Sequence, residues 1–248
     1  MKGDLERSHY EADELWSAER FTDADRRRAA DTVGWVPEEA RSVLDAGCGN
    51  GLLTRLLARG RFAVGVDRSR YALGRFDGLR SQVDVAALPF ADAAFDCVVC
   101  TEVIEHLPQA AYPAVLNELA RVARRYILIT VPYCEDLLAG HVTCPACGCR
   151  FNANYHLRSF DEPALRALYA GRPGVRLVRM AGLNPEPARR LGRLWTTLLL
   201  LRYDLLGAPD LAPHMQCPRC GYRRGPAGRA APPSAAPRLG LAALAGYP

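Results

Sequence analysis

Val43-Leu44-Asp45-Ala46-Gly47-Cys48-Gly49-Asn50-Gly51 reads as a buried strand that runs into a glycine-rich turn and opens a helix. Glycines there permit positive φ and let a ligand lie against bare backbone. Taken alone the pattern is shared by several nucleotide-binding turns, and many such turns bind nothing. Outward from it, short apolar strands alternate with helical stretches: Ser42 to Asp45, Leu52 to Arg59, Phe62 to Asp67, then Asp96 to Thr101, Ala110 to Arg124 and Tyr126 to Val131. This rhythm predicts an α/β fold, a doubly wound and mostly parallel sheet with helices on both faces.

The flanks divide the chain further. Residues 1–40 read as a polar helical cap, with Trp16, Phe21, Val33 and Trp35 as spaced apolar positions and Pro37 as its close. Residues 41–132 form the core, 133–224 a substrate-side half, and 225–248 a Pro, Ala and Gly tail with too little to bury, expected to be disordered. Within the third segment, Tyr133 to His156 is a loop rich in Cys, Gly and His. Asp161 caps a helix running to about Ala170 with Pro163 in its first turn, a strand follows at Val175 to Met180, and a helix at Ala188 to Leu206.

With 248 residues and 49% hydrophobic content the chain can build a substantial core, which excludes a disordered protein. Its net charge of +5 is carried almost wholly by Arg, Lys2 being the one lysine. The Arg clusters are scattered rather than gathered on one stretch, so the basicity is discounted as a nucleic-acid footprint. The charged start, Met1 to Tyr10, lacks the apolar core of a secretory signal, so the expected location is the cytoplasm, with reduced thiols. The apolar run Leu198 to Leu201 lies inside Leu194 to Leu206, and Arg202 and Asp204 interrupt that stretch well short of the roughly 20 residues of a membrane span.

Asp67 closes the second apolar strand about 20 residues beyond Gly47, where a carboxylate accepts both hydroxyls of an adenosine ribose. That position suits NAD and S-adenosylmethionine equally. The stretches Val83-Asp84-Val85-Ala86-Ala87-Leu88-Pro89-Phe90 and Phe95-Asp96-Cys97-Val98-Val99-Cys100-Thr101-Glu102-Val103-Ile104-Glu105-His106-Leu107 separate them. With these motifs in order, the region from Arg41 to Pro132, and more loosely on to Gly182, resembles the class I S-adenosylmethionine-dependent methyltransferases, particularly the quinone-biosynthesis branch. The resemblance implies a Rossmann-like core in which Asp45 and the backbone at Gly47, Gly49 and Gly51 hold the methionine end of the cofactor. It further implies that Asp67 binds the ribose and Asp84 the adenine amino group, with Leu88 packed nearby.

Methyl transfer is an in-line displacement at a sulfonium carbon, so the protein supplies alignment and needs no nucleophile of its own. A hydroxyl acceptor benefits from a general base, for which Glu102, His106, His141 and His156 are the candidates. Because the Glu-His-Leu sequence recurs in the family over different acceptors, His106 reads more readily as a structural or cofactor-shell residue.

Cys144-Pro145-Ala146-Cys147-Gly148 and Cys217-Pro218-Arg219-Cys220-Gly221 are two copies of one knuckle. Paired CxxC motifs predict a tetrahedral zinc site of Cys144, Cys147, Cys217 and Cys220, in preference to disulfides. Four thiolates leave no position for water, so the zinc is structural and pins substrate-side loops. Cys149 reads as a bystander, and Cys48, Cys97, Cys100 and Cys134 as core residues. The expected activity is methyl transfer from S-adenosylmethionine to a small-molecule or glycan acceptor. The alternatives are an RNA methyltransferase gripping RNA with its zinc ribbon, and a non-catalytic cofactor-binding module. A nicotinamide dehydrogenase is the weakest reading, since Leu88-Pro89-Phe90 and Glu105-His106-Leu107 have no place in it.

Overall fold

The structure, a computed structural model, describes residues 10, 13–16, 22–172, 211 and 215–224. The strand expected at 175–180, the helix at 188–206 and the tail at 225–248 lie outside the described residues. Five parallel strands form one sheet in the order β3-β2-β1-β4-β5, with β1 at Ser42–Ala46, β2 at Phe62–Asp67, β3 at Arg80–Gln82, β4 at Phe95–Thr101 and β5 at Ala123–Thr130. The order reverses between β2 and β4 around the central β1, which places a crevice at the carboxyl ends of β1 and β4, where open α/β sheets put their ligands.

Strand periodicity sends alternate residues to opposite faces, and both faces are covered. Leu44, Val98 and Cys100 pack on one side with Val115, Leu116, Leu119 and Val122 of α4 (Tyr112–Val122). Val43, Cys97 and Val99 pack on the other with Leu53 and Leu57 of α2 (Leu52–Leu57) and with Ala29 of α1 (Asp23–Trp35). The first helix is started by its own side chains and closed by a backbone bond from the Val36 N–H to the Val33 carbonyl. Thr22 accepts from the Asp25 N–H while the Asp25 carboxylate accepts from the Thr22 N–H, a capping box. Val36 and Ala40, just past the helix, are buried beneath the sheet, so this part of the expected cap joins the core. At the opposite end, Asp96 accepts from the backbone of Arg41 and Ser42 and from Arg124, tying β1, β4 and β5 together.

Three elements differ from the sequence expectation. A short helix α3 spans Arg70–Leu73, β3 is a polar strand exposed at all three residues, and the cysteine-rich loop contains a hairpin of β6 (His141–Thr143) and β7 (Arg150–Asn152). The Asp161 cap is present, its carboxylate accepting from Ala164 N–H at 2.9 Å, but the helix α5 covers Glu162–Ala167. Between β3 and β4 the chain is held by one guanidinium: Arg121 donates to the carbonyls of Leu88 and Phe90 and to Asp92, and pairs with Glu118, which accepts from the Leu88 N–H. No helix among the described residues is long and apolar enough to cross a membrane.

Gly51 enters α2 with φ +73°, and a Cβ there would lie 2.3 Å from the Phe76 ring. Gly51→Ala therefore combines a left-handed penalty with overpacking, and should lower stability by about 2–4 kcal/mol in urea unfolding.

Candidate active site and metal centre

The turn after β1 is folded onto the end of β2. Gly47 and Cys48 donate to the Val66 carbonyl, and Gly49 donates to Asp67 Oδ2 at 2.9 Å, while Asp67 Oδ1 accepts from the Ser69 N–H at 2.8 Å. Gly47, Gly49 and Gly51 all have positive φ. At Gly49 a Cβ would meet the Trp16 ring at 2.6 Å. On the side where that Cβ would point, the space that glycine leaves is taken by an aromatic ring of the same chain. Asp67 is nearly buried, yet each oxygen retains a lone pair beyond its backbone bond.

Asp45 is fully enclosed. Its Oδ2 accepts from the Thr54 hydroxyl at 2.6 Å, and its Oδ1 has no partner. Burial, opposed by the Thr54 bond and reinforced by the Asp67 charge, pushes its carboxyl up to about 7, and burial raises Asp67 as well. Asp84 sits on an exposed turn with Oδ1 accepting from the Ala86 N–H, and Leu88 is buried beside it in the core.

A second group of side chains gathers past β4. Glu102 takes φ +54°, and its carboxylate accepts from the Thr130 hydroxyl at 3.1 Å, with Arg28 at 3.8 Å. The turn that follows buries Glu105 completely, with neither carboxylate oxygen partnered. Burial first, and the Glu102 charge second, push Glu105 up to about 8. His106 is held through Nδ1 by the Tyr10 hydroxyl at 2.8 Å, and His156 through Nδ1 by Glu135 at 2.5 Å. The two imidazoles meet edge to face with centroids 4.7 Å apart, and Glu105, His106 and His156 each offer a ligand atom within 4.8 Å of the others. Of the four expected base candidates, then, His106 and His156 come together and Glu102 lies beside them. His141 stands on β6 opposite Asn152 and belongs to no such group among the described residues. Sequence reasoning missed Glu105, Glu135 and Tyr10. Glu105 lay inside a quoted motif, but its burial is a tertiary fact.

The four cysteines of the two knuckles also come together, with Cys144 and Cys220 sulfurs 3.7 Å apart, Cys147 and Cys217 3.6 Å apart, and no disulfide. Sulfurs at the corners of a tetrahedron around zinc are separated by about 3.8 Å, given Zn–S bonds of about 2.3 Å. Both knuckles have the same backbone: Gly148 donates to Cys144 and Gly221 to Cys217, each at 2.9 Å, with each glycine left-handed. Cys149 is outside the cluster. The geometry is compatible with a zinc site.

Because the folded protein raises the Asp45 carboxyl from 3.8 to about 7, the folded state binds the proton more tightly than the unfolded one. The group therefore costs stability progressively as pH rises from about 4 to 7. Without ligand, Asp45→Asn should gain on the parent by about 2–3 kcal/mol between pH 5 and pH 8 in urea unfolding. A difference that stays constant across that range would contradict the assignment.

A family model described as a methyltransferase domain matches residues 44–126. A ubiquinone biosynthesis O-methyltransferase of Xylella fastidiosa is 29% identical over 196 residues, covering 72% of this chain and 78% of the relative. Another from Bordetella parapertussis is 35% identical over 108 residues, covering 37% of this chain and 44% of the relative. Among solved structures, the magnesium protoporphyrin IX methyltransferase of Synechocystis with bound S-adenosylmethionine is 21% identical, with a TM-score of 0.41 over 58% of this chain and 65% of that one. Residues 44–126, which contain the central β1 turn and the Asp67 bridge, match a methyltransferase domain, and the chain is similar over that region to S-adenosylmethionine-dependent methyltransferases.

Proposed function

We propose that the chain transfers a methyl group from S-adenosylmethionine to a hydroxyl of a small-molecule or glycan acceptor. The relatives' shared description as O-methyltransferases points the same way. In this reading Asp67 accepts from the ribose hydroxyls, the unpartnered Asp45 Oδ1 accepts from the methionine ammonium, and Asp84 and Leu88 flank the adenine. The backbone at Gly47, Gly49 and Gly51 lines the cofactor's methionine end.

One observation carries the hydroxyl acceptor. Glu105 is fully buried with both oxygens unpartnered, against two imidazoles that are each anchored through Nδ1. A neutral core would not retain such a group, because an uncompensated buried carboxylate is costly. Two imidazoles and a carboxylate suit a divalent cation, and the Glu135–His156 bond is the outer-shell arrangement that orients a ligating histidine. When bound, such a cation would lower the pKa of an acceptor hydroxyl. Glu105, His106 and His156 would hold the cation, while the Glu102 carboxylate orients the hydroxyl and receives its proton. His141 and the other loop groups have no role in it.

The cofactor and acceptor parts should separate by mutation. Asp67→Ala should weaken calorimetric binding of S-adenosylmethionine and its demethylated product by about 10- to 100-fold, the loss expected for charged hydrogen bonds. Glu105→Gln should leave that affinity unchanged and depress turnover in a labelled-methyl screen of hydroxyl acceptors. Methylation only of RNA or of nitrogen acceptors in that screen would refute the reading.

The four-cysteine cluster is read as one structural zinc per chain, held by Cys144, Cys147, Cys217 and Cys220. Elemental measurement on protein purified without chelator should give one zinc. Cys144→Ser should lose it together with acceptor turnover, while S-adenosylmethionine affinity changes little, because the ligands lie outside the 44–126 unit. Normal zinc content and kinetics in that variant would sink the assignment.

A further inference from the structure

We propose that Tyr155 is a positioning residue that makes the place of His156 in the acceptor site depend on the four-cysteine cluster. The proposal rests on the reading of Glu105, His106 and His156 given above. Tyr155 is buried, and its hydroxyl both donates to the Gln216 carbonyl at 2.7 Å and accepts from the Gln216 N–H at 2.8 Å. A single phenol thus satisfies both backbone groups of the residue that immediately precedes Cys217.

Gln216 belongs to a closed unit. Its backbone bridges to Arg223, its side-chain carbonyl accepts from the Arg223 guanidinium at 2.9 and 2.6 Å, and Cys217 donates to Tyr222. The second knuckle therefore presents Gln216 as a rigid clamp as long as its thiolates are tied to those of the first.

At its other end Tyr155 is equally constrained. Its N–H donates to the Asn152 carbonyl at 2.8 Å, the Asn152 side chain accepts from Asn154 N–H and reaches the Leu137 carbonyl, and Tyr155 takes φ +60°. A bulky aromatic residue in the left-handed region is strained, and it persists only where its surroundings over-determine it. The two grips, hydroxyl and backbone, do that here. The very next residue is His156, whose ring meets His106 and whose Nδ1 meets Glu135. The cluster, Gln216, Tyr155 and His156 form one covalent and hydrogen-bonded path. Release of the knuckle frees the phenol, and the left-handed turn that aims His156 relaxes.

The test uses Mn²⁺ as a paramagnetic probe of the acceptor site in the full-length, zinc-loaded chain, read by electron paramagnetic resonance without acceptor. The parent should bind one Mn²⁺ that Glu105→Gln abolishes. Tyr155→Phe, which keeps the ring and removes both bonds, should retain its zinc and its S-adenosylmethionine affinity. It should bind Mn²⁺ about 10-fold more weakly, as outer-shell changes do. Adding Tyr155→Phe to His156→Ala should cause no further loss, since both act through one imidazole. Stripping zinc from the parent with a mercurial should weaken Mn²⁺ binding likewise, which covers the case of a Tyr155→Phe protein that fails to fold. Unchanged Mn²⁺ affinity in Tyr155→Phe or in zinc-stripped parent, or additive losses in the double variant, overturns the relay alone. A parent that binds no Mn²⁺ overturns the acceptor-site reading, and the relay with it.

Discussion

The carboxylate of Asp67 accepts from the Gly49 N–H with one oxygen and from the Ser69 N–H with the other. Through these two bonds the turn after β1 and the start of α3 are fixed to the last residue of β2. Both donors belong to segments that leave strands, where backbone N–H groups lack ladder partners and would otherwise need water. The same carboxylate that orders the turn is the group proposed to meet the ribose. Removing it would therefore disturb the receptor as well as the contact, which is why binding losses at such a residue overstate the contact itself.

A common electrostatic theme runs along the carboxyl edge of the sheet. Asp45, Asp67 and Glu105 are all buried, and burial raises all three. Two of them hold oxygens without a partner. Such groups resist ionising alone, and each becomes favourable as a charge once a cationic group is brought to it. S-adenosylmethionine carries an ammonium and a sulfonium, and the proposed acceptor site carries a divalent cation. In this view the edge by itself is charged less than its formula suggests, and binding of a cationic group at either position would complete the ionisation. Like charges act within each position, since Asp67 raises Asp45 and Glu102 raises Glu105.

What the sequence revealed followed from local physics. Strand β2 was legible to its last residue because the apolar run Phe62 to Val66 ends at a carboxylate, and β1 because its run ends at a glycine turn. The knuckles were legible because thiolate spacing is set by metal geometry and by the left-handed glycine after the second Cys. Strand β3 was hidden because Arg80, Ser81 and Gln82 are exposed and polar, so only pairing with Gly65, Val66 and Asp67 makes them a strand. The hairpin β6–β7 was hidden because three-residue strands carry no readable period. Glu105 and Tyr155 were quoted or passed over as ordinary residues, because what distinguishes them is burial and long-range partners, which no local pattern encodes.

The C-terminal module shows why a thiolate cluster and an acceptor site should share a boundary. Its own core is small: Val142, Phe151, Tyr155 and Leu211 with two of the cysteines are buried, and the surrounding apolar residues are only half covered. A cluster of that size cannot offset the ordering entropy of two knuckles and a hairpin without a metal or another cross-link. Tying Cys144 and Cys147 to Cys217 and Cys220 joins positions some 70 residues apart in sequence, which restricts the unfolded chain as a long-range staple does. The segment so stapled includes His156, and its neighbour Leu157 donates to the Glu105 carbonyl at 2.8 Å while Arg158 donates to the Ile104 carbonyl at 3.0 Å. These bonds seat the module directly on the turn that carries Glu105 and His106. On the proposed reading, order in the module and order at the turn of Glu105 and His106 are one equilibrium, whereas the turn after β1, bound to β2 through Asp67, stands apart from it.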